Sequence, residues 1–342
     1  MKERNYLFDN FKALLIFCIV FAHFLRISGH FELGSPSRVI YIICFTFMVE
    51  GFFFISGYFS QNVDKCRAKA VETLLLPYVV FMILCFFARF LIFGSAHFHM
   101  LHPTHAMWFL LVMFYYRFGI KTLSKIPFIL PLSAALYLVS SAIPIFGAVM
   151  AMQRACAFLV FFMLGYYFKW EYVETIRKIP RLVMLLPMAA LVGLSVWYAG
   201  QDRFSPELLL FRFNNGTLDI SFAEGVIARL LIGLAALIWL AIWINLLPNT
   251  KLPAKGGLIS QIGQNTMTVF LLHIFVRLVL KWAGQLDVAL LSHGGWIYVG
   301  VILVIALACV YVFSRPAVAK AYDKTMHFLY KPFGKAYEFV VK

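Results

Sequence analysis

The chain has 342 residues, of which 63% are hydrophobic and 18% aromatic, while 13% carry a charge. With a mean hydropathy of +0.86, this composition excludes a soluble globular domain and indicates a protein that crosses the membrane several times. The formal net charge of +15 would suggest nucleic-acid binding in a soluble chain, but here Lys and Arg fall between apolar segments, so we expect membrane lipid and no nucleic acid as a partner.

Ten apolar segments are long enough to cross a bilayer, which predicts an all-α polytopic membrane bundle of about ten transmembrane helices. They lie near residues 8–27, 37–60, 70–94, 105–120, 126–144, 148–169, 181–199, 222–247, 259–281 and 296–314. Lys and Arg concentrate in alternate loops, so the positive-inside rule places both termini in the cytoplasm.

We expect a transmembrane domain over residues 1–320 and a basic, aromatic cytoplasmic tail over residues 321–342. The mixture of Lys with Tyr and Phe in the tail suits a helix on the membrane surface. A disordered tail is the alternative.

The first apolar segment contains two ionisable residues, Lys12 near its start and His23 near its end. Eleven residues at a rise of about 1.5 Å separate them by about 16 Å, roughly half of a hydrocarbon core. Lys12 would then face the cytoplasm while His23 lies within the membrane. Because ionisable groups are costly there, His23 is a candidate functional residue, although a hydrogen bond to a neighbouring helix would also explain it.

Further ionisable residues are predicted at a similar depth. Counting along the helices places Arg154 and His273 in the outer half of the bundle with His23, and Glu50 near the middle of the second helix. We therefore expect a polar cluster in the outer half of the bundle. An enzyme and a transporter would both hold such a cluster, so these residues alone leave the chemistry undecided.

Two longer segments are predicted on the outer side. Residues 95–105 contain His97, His99, His102 and His105. Their spacing matches no tetrahedral metal site, and no Cys or carboxylate accompanies them, which favours a hydrated interfacial loop over a metal centre. Residues 200–221 mix charged and aromatic side chains and would either contact a polar acceptor such as a sugar or form a solvated lid.

Six short motifs follow one another along the chain. They are Asp9, Lys12 and His23; Ser56, Gly57 and Tyr58 after an aromatic run; the basic loop with Lys65, Arg67 and Lys69 before Leu76, Pro77 and Tyr78; Trp108, Phe109 and Leu110; Arg154, Phe162, Gly165 and Tyr166; and Gly263, Asn265, Thr266 and His273. Their order resembles that of the bacterial acyltransferase-3 family, integral membrane enzymes that O-acylate glycans and some antibiotics. The resemblance covers nearly the whole chain.

The resemblance implies transfer of an acyl group from cytoplasmic acetyl-CoA to a hydroxyl of an extracytoplasmic glycan or lipid-linked sugar. It places the protein in the bacterial cytoplasmic membrane and implies no metal. His23 would be the general base or a transient acyl carrier. Arg154 would stabilise the oxyanion, and Glu50 would either orient His23 or pair with Arg89 or Arg154.

The remaining candidates are assigned around this centre. Lys12, Lys65, Arg67 and Lys69 would hold the phosphates of CoA, and Trp108 would line the donor tunnel or anchor its helix at the interface. His273 would be hydrogen-bonded between helices or catalytic, and Asn265 and Thr266 would pack polar groups between helices. Asp9, Ser56 and Tyr58 complete the candidate set.

Two positions depart from the family pattern. Lys12 stands where the family commonly has Arg, so the charge remains but the planar guanidinium fork is lost. Met48 and Glu50 stand where the family has a His-x-Pro-like sequence. With Lys at position 12 the sequence resembles the fucose 4-O-acetylase-like branch of the family, which would make the acceptor a cell-surface sugar.

Two other classes remain open at this point. A secondary transporter would be built from inverted repeats with helices broken near the midplane, and the sequence has no self-similar halves. A non-catalytic sensing or assembly protein on the same scaffold would tolerate loss of His23.

Overall fold

The structure is a computed structural model that describes residues 5–27, 31–104, 106–143, 149–202, 205–255, 257–284 and 295–341, with the side chains of residue 333 and of residues 335–341 outside that description. His105, which belongs to the histidine-rich segment, lies outside the described residues. Within the described ranges all of the regular secondary structure is helical, as the composition predicted.

The α-helices are α1 Leu7–Leu25, α2 Pro36–Phe45, α3 Met48–Tyr58, α4 Val63–Ala70, α5 Leu76–Phe93, α6 Trp108–Leu123, α7 Ile129–Val139, α8 Met152–Tyr167, α9 Trp170–Arg177, α10 Arg181–Ala199, α11 Phe222–Leu246, α12 Leu258–Gln264, α13 Thr266–Gly284, α14 Trp296–Phe313 and α15 Pro316–Val341. Short 3-10 turns occupy Ser140–Ala142, Val149–Ala151 and Pro206–Leu210, and a π-helical turn occupies Val71–Leu75.

Eight helical segments of the described chain are long and apolar enough to cross a membrane, which confirms a polytopic helical membrane protein. They are Leu7–Leu25, Pro36–Tyr58, Val63–Phe93, Val149–Tyr167, Arg181–Ala199, Phe222–Leu246, Thr266–Gly284 and Trp296–Phe313. The other two predicted spans, near 105–120 and 126–144, correspond to shorter helices, α6 with 16 residues and α7 with 11.

The basic segment before the third predicted span is helical rather than a loop. Asn62 accepts a hydrogen bond from the backbone N–H of Lys65 at 3.2 Å and begins α4 at Val63, an N-cap arrangement that satisfies a donor left open at a helix start. The helix that contains the third predicted span therefore begins about two turns before residue 70, because a polar, basic first stretch gives no apolar signal in the sequence. The π-helical turn then leads into Pro77, whose missing N–H removes one helical hydrogen bond.

The chain divides into two compact units. The first contains Met1–Phe52, Phe168–Leu209 and Leu231–Ala319, and the second contains Phe53–Tyr167, Leu210–Leu230 and Lys320–Lys342. Each unit is built from segments that are distant in sequence, so the candidate site residues fall into two sets.

Helix α1 lies at the centre of the first unit, with 78% of its most apolar stretch buried. It packs against α2, α12, α13 and α14. Gly263 on α12 lies so close to the backbone carbonyl of Asp9 that a Cβ there would collide with it. Asn10 donates to the carbonyls of Pro248 and Thr250, both at 2.9 Å, and accepts from the hydroxyl of Ser260. These contacts fix the N-terminal half of α1 against the segment that ends in α12.

Helices α3 and α8 cross in backbone contact in the second unit. A Cβ at Gly57 would collide with the carbonyl of Phe162, and a Cβ at Gly165 would collide with the carbonyl of Phe54. Small residues that allow such an approach are the usual way to pack membrane helices, where the lipid provides little hydrophobic driving force. The Ser-Gly-Tyr and Gly-Tyr motifs therefore meet at this crossing.

The C-terminal segment forms helix α15, of which residues from Lys320 onward belong to the second unit. His327 Nδ1 lies 3.0 Å from Glu72 Oε1 on the π-helical turn, and Met326 is buried. Burial, with a smaller contribution from Asp323, raises the pKa of Tyr322. The tail is therefore helical in the structure, one of the two alternatives that its sequence left open.

Candidate functional site

Two histidines meet in the first unit. Nδ1 of His23 on α1 lies 2.9 Å from Nε2 of His273 on α13, and the two rings are nearly parallel, with centroids 5.1 Å apart. His273 is fully buried, whereas His23 is partly exposed. The rings of Phe24, Phe45 and Phe270 surround the pair. The structure therefore brings together two of the residues that the sequence placed at one depth.

The partners of His273 determine the arrangement of protons in the pair. Nδ1 of His273 lies 3.2 Å from the carbonyl of Val269, and because a carbonyl accepts, that nitrogen carries the proton. In neutral His273 the lone pair is then on Nε2, so Nδ1–H of His23 donates to it. Neutral His23 is thus assigned the tautomer whose lone pair is on Nε2, the arrangement that a general base requires.

Glu50 is the third residue of α3 and is completely buried in the first unit. Neither of its carboxylate oxygens has a hydrogen-bond partner among the described residues. The ion pair with Arg89 or Arg154 that the sequence left open is therefore not present in the described structure. A buried carboxyl group without a partner is costly, and such costs accumulate at functional positions more often than elsewhere.

Helix α3 begins after an interruption inside the second predicted span. Helix α2 ends at Phe45, and the hydroxyl of Thr46 donates to the carbonyl of Ile43 at 2.7 Å. The interruption gives α3 an N-terminus of its own within the membrane segment. Because the partial positive charge of a helix N-terminus favours negative groups, Glu50 occupies a position suited to a carboxylate.

Lys12 and Asp9 form an ion pair in the N-terminal half of α1. Lys12 Nζ lies 3.0 Å from Asp9 Oδ1, and the Lys12 side chain is 22% exposed. Gln264 donates to the other carboxylate oxygen of Asp9 at 3.3 Å. Asp9, which is buried, therefore orients Lys12 while Gln264 orients Asp9.

Asn265 interrupts the ninth predicted span between α12 and α13. Its side-chain amide donates to the carbonyl of Ser314 at 2.8 Å, and the Thr268 hydroxyl donates to the carbonyl of Phe313 at 2.7 Å. These bonds satisfy carbonyls at the end of α14 that have no intrahelical partner. Asn265 thus packs against the end of α14, as expected. The interhelical hydrogen bond expected of Thr266 is made by Thr268, half a turn later.

The second unit contains Arg154 and Trp108. The guanidinium of Arg154 lies 4.2 Å from the centroid of the Trp108 ring, and its Nε donates to the carbonyl of Leu210 at 2.9 Å. Trp108 stacks on Phe158, with centroids 5.6 Å apart, and Phe158 stacks on Phe53. Trp108 is thus part of a packed aromatic cluster that positions a cation through its ring face.

Ser56 and Tyr58 lie on α3 on either side of the close contact made by Gly57. Ser56 contributes its backbone carbonyl to the hydroxyl of Ser60 at 2.7 Å. The ring of Tyr58 packs edge to face on Phe59, with centroids 5.3 Å apart. These contacts are local, and they give the motif a role in building the helix crossing.

The basic residues of α4 are in different environments. Lys65 and Lys69 are exposed. Arg67 donates through Nε to the carbonyl of Phe118 at 3.2 Å and covers the ring of the same residue. Arg67 therefore packs α4 against α6, and the two lysines present their charges to solvent.

The histidine-rich segment brings three rings near one another. The centroids of His97 and His99 are 6.3 Å apart, and those of His99 and His102 are 6.0 Å apart. Across the part of the chain that the structure describes, no group of three or more His, Cys, Asp or Glu side chains has a geometry suited to a metal ion.

Arg277 is a contact of the histidine pair that the motifs did not indicate. Its Nε donates to the backbone carbonyl of His23 at 3.2 Å. The available sequence signal was its position, because a charged residue four places after His273 on a helix lies on the same face.

Comparison with known proteins gives a match to a protein family. A family model described as an acyltransferase domain, that of the acyltransferase-3 family, matches residues 5–315. No curated protein and no solved structure matches the chain. The matched region includes both members of the histidine pair, the α3–α8 crossing and the Asn265 interruption.

Proposed function

Because the chain belongs to the acyltransferase-3 family of membrane acyltransferases, we propose that it moves an acyl group, most simply acetyl, from cytoplasmic acyl-CoA to a hydroxyl of an extracytoplasmic cell-surface glycan or lipid-linked sugar. The membrane would be the bacterial cytoplasmic membrane, and the acceptor a sugar of the kind that the fucose 4-O-acetylase-like branch modifies. The observation that supports this proposal best is the hydrogen bond between His23 and His273.

The histidine pair supplies a general base. Nε2 of His23 takes the proton of the acceptor hydroxyl while the hydroxyl oxygen attacks the thioester carbonyl. The carbon–sulfur bond then breaks, and the CoA sulfur leaves with the proton that His23 returns. His273 holds the hydrogen on Nδ1 of His23 throughout, so the reacting nitrogen remains Nε2.

A covalent route uses the same nitrogen. Nε2 of His23 attacks the thioester carbon, and the carbon–sulfur bond breaks to release CoA as its thiolate. The acceptor oxygen then attacks the acyl carbon, the bond from that carbon to the imidazole breaks, and the hydroxyl proton neutralises the thiolate. In both routes the thioester carbonyl lies next to Nε2 of His23. They differ in whether label remains on the protein before an acceptor is added.

The other candidates are proposed within their own units. Lys12, oriented by Asp9 about 16 Å from His23 along the helix, would hold a phosphate of CoA at the cytoplasmic end. Lys65 and Lys69, which belong to the second unit, are proposed separately as phosphate-binding cations. Arg154, which lies over the Trp108 ring in the second unit, stays a proposed oxyanion-stabilising cation. Glu50 would stabilise the positive charge that His23 acquires.

A secondary transporter is the alternative, since helices are interrupted at Thr46 and at Asn265 and broken helices are a feature of transporter sites. Family membership and the histidine pair favour acyl transfer. A transporter would bind its solute without releasing CoA.

The proposal is tested with purified protein in lipid, supplied with radiolabelled acetyl-CoA, by following CoA release and label on the protein. His23→Ala is compared with His97→Ala, which removes an exposed histidine. We expect release to be lost in His23→Ala and retained in His97→Ala, with both variants folded. Equal release by His23→Ala and the wild type would refute the role of His23. No release by the wild type with any sugar acceptor would favour the transporter.

A further inference from the structure

We propose that the outer end of the first unit binds an anionic group, a phosphate or a carboxylate, through Arg26 and Arg277 beside the histidine pair. This inference rests on the proposed function, because it identifies the bearer of that group as the acyl acceptor. The acceptor then carries a phosphate or a carboxylate on the acylated sugar or beside it, so a fucose-like sugar would be bound as part of a glycan or lipid-linked precursor that supplies this charge.

The two arginines approach from two helices. Arg277 on α13 donates through Nε to the carbonyl of His23, so its guanidinium lies against the residue that reacts. Arg26 directly follows the last residue of α1, and its Nη1 lies 3.4 Å from the hydroxyl of Tyr41 on α2. Arg277 thus contacts the backbone of α1 three residues before Arg26, and Arg26 contacts Tyr41, so the three residues lie around the same end of α1.

Two guanidinium groups at the same end of a helix repel each other, and an anion that binds there compensates that repulsion. The guanidinium presents a planar set of donors that matches phosphate and carboxylate oxygens in pairs. Tyr41 is 1% exposed and supplies a hydroxyl from a rigid, buried ring. The group therefore has the donors and the rigidity of an oxyanion site.

The positive-inside rule and the helix dipole explain the position of Arg26 only in part and do not explain that of Arg277. The positive-inside rule places Lys and Arg at the cytoplasmic ends of helices, whereas the predicted topology puts Arg26 and Arg277 in the outer half. The dipole of α1 favours a cation at position 26, but Arg277 lies within α13, before its last turn. Contact between Arg277 and the catalytic helix is explained by neither effect.

Glu207 shows where an anion would sit. Its carboxylate forms an ion pair with Arg26, and it belongs to the 3-10 turn Pro206–Leu210 in the outer segment. A ligand phosphate or carboxylate would displace this side chain from Arg26. Glu207 would then compete with the acceptor and weaken its binding.

The position also limits where the charge lies on the acceptor. Three residues at about 1.5 Å each separate His23 from Arg26, a rise of about 4.5 Å. The anionic group and the acylated hydroxyl would therefore belong to the same sugar residue or to adjacent ones.

The test is a binding titration of the full chain in lipid without acetyl-CoA, with unfolding temperature as the readout. The probes are glucose 1-phosphate, glucuronate and glucose. The variants are Arg277→Gln and the double variant Arg26→Gln with Glu207→Gln, which removes both members of the ion pair and leaves no unpaired charge. Arg212→Gln is the matched control, because Arg212 is an exposed arginine of the outer segment that stacks on Phe213.

We expect the wild type and Arg212→Gln to bind at least one charged probe more tightly than glucose. Arg277→Gln and the double variant should bind it roughly tenfold more weakly or worse, as expected for loss of a charge-assisted contact. Glu207→Gln alone should bind it more tightly. The charged probe that binds better identifies the group as phosphate or carboxylate.

Equal binding of glucose and the charged probes by the wild type, or equal binding of the charged probes by all variants, would overturn the inference, and so would the absence of any binding. If Arg277→Gln fails to fold, Arg277→Lys keeps the charge but not the fork and should bind phosphate more weakly than the wild type. The titration contains no acyl donor, so it is independent of the CoA-release assay that tests the proposed function. Binding that depends on Arg26 and Arg277, together with no CoA release by the wild type in that separate assay, would leave this site standing and refute the proposed function. CoA release without such binding would do the reverse.

Discussion

Nδ1 of His23 donates a hydrogen bond to Nε2 of His273, whose own Nδ1–H is fixed on the carbonyl of Val269. The chain of donors runs from a partly exposed imidazole to a buried one and ends on the backbone. In this arrangement His273 acts as a hydrogen-bond acceptor for His23. Another side chain that accepts a hydrogen bond at position 273 should therefore support the reaction, so this role can be tested separately from folding.

We therefore expect His273→Leu to lower the rate of CoA release about 100-fold, within the range of effects seen for general bases. His273→Gln should recover part of the loss, since its side-chain oxygen can accept from His23. The comparison is made at several pH values, because a change of tautomer alters the pH profile and a packing defect does not. Equal rates for the Leu and Gln variants, with equal unfolding temperatures, would contradict the positioning role.

Replacing Glu50 should leave stability unchanged or raise it, and should lower activity. Replacing a buried carboxyl group that has no hydrogen-bond partner by an apolar side chain of similar size removes a desolvation cost of about 1 to 3 kcal/mol. Glu50→Leu should thus unfold at the same temperature as the wild type or higher, while acyl transfer falls. Glu50→Gln serves as the isosteric comparison. A marked loss of stability in Glu50→Leu would show that Glu50 has a structural partner.

Gly→Ala substitutions can distinguish the effect of close helix packing on stability from the effect of helix propensity. Gly57→Ala and Gly165→Ala place a methyl group against backbone carbonyls that cannot move without separating α3 from α8. We expect each to cost about 2 kcal/mol or more, measured as a lower unfolding temperature in detergent.

Gly193→Ala and Gly300→Ala are the controls, because both lie in helices and a Cβ at either position meets open space. They should be neutral or slightly stabilising, since Ala favours helices by up to about 1 kcal/mol. Equal effects at all four positions would mean that the crossing does not limit stability.

Lys12 predicts an effect on the donor rather than on folding. Lys12→Gln should raise the KM for acetyl-CoA with a smaller change in kcat, because it removes a charge that would hold a phosphate. Lys12→Arg should restore binding, and Asp9→Asn should weaken it by releasing Lys12 from its orienting partner. A loss confined to kcat in Lys12→Gln would place Lys12 in the chemical step.

The sequence predicted the location of the spans better than their interruptions. Long apolar runs identify a membrane helix regardless of its neighbours, and eight of the ten expected spans have helices of sufficient length. The breaks at Thr46 and Asn265 could not be read, because no proline marks them. The break at Asn265 is accompanied by a tertiary hydrogen bond to the end of α14, and the break at Thr46 by a local one to Ile43.

For the site, the depth of His23 and His273 was predictable because a helix rises by a constant amount for each residue. Their hydrogen bond and its proton arrangement were not, since these depend on how the two helices are rotated about their axes. The contact of Arg277 with the carbonyl of His23 was missed for the same reason.

Helix α1 is uninterrupted from Leu7 to Leu25 and is enclosed by other helices over most of its surface. The separation between Lys12 and His23 is therefore a fixed length that side-chain motion cannot greatly change. In the proposed reaction this length determines where the thioester can react, because a donor bound by its phosphates near Lys12 reaches only a fixed distance along α1. Insertion of one helical turn between the two residues would keep both on the same face while placing His23 about 5 Å beyond reach of the thioester.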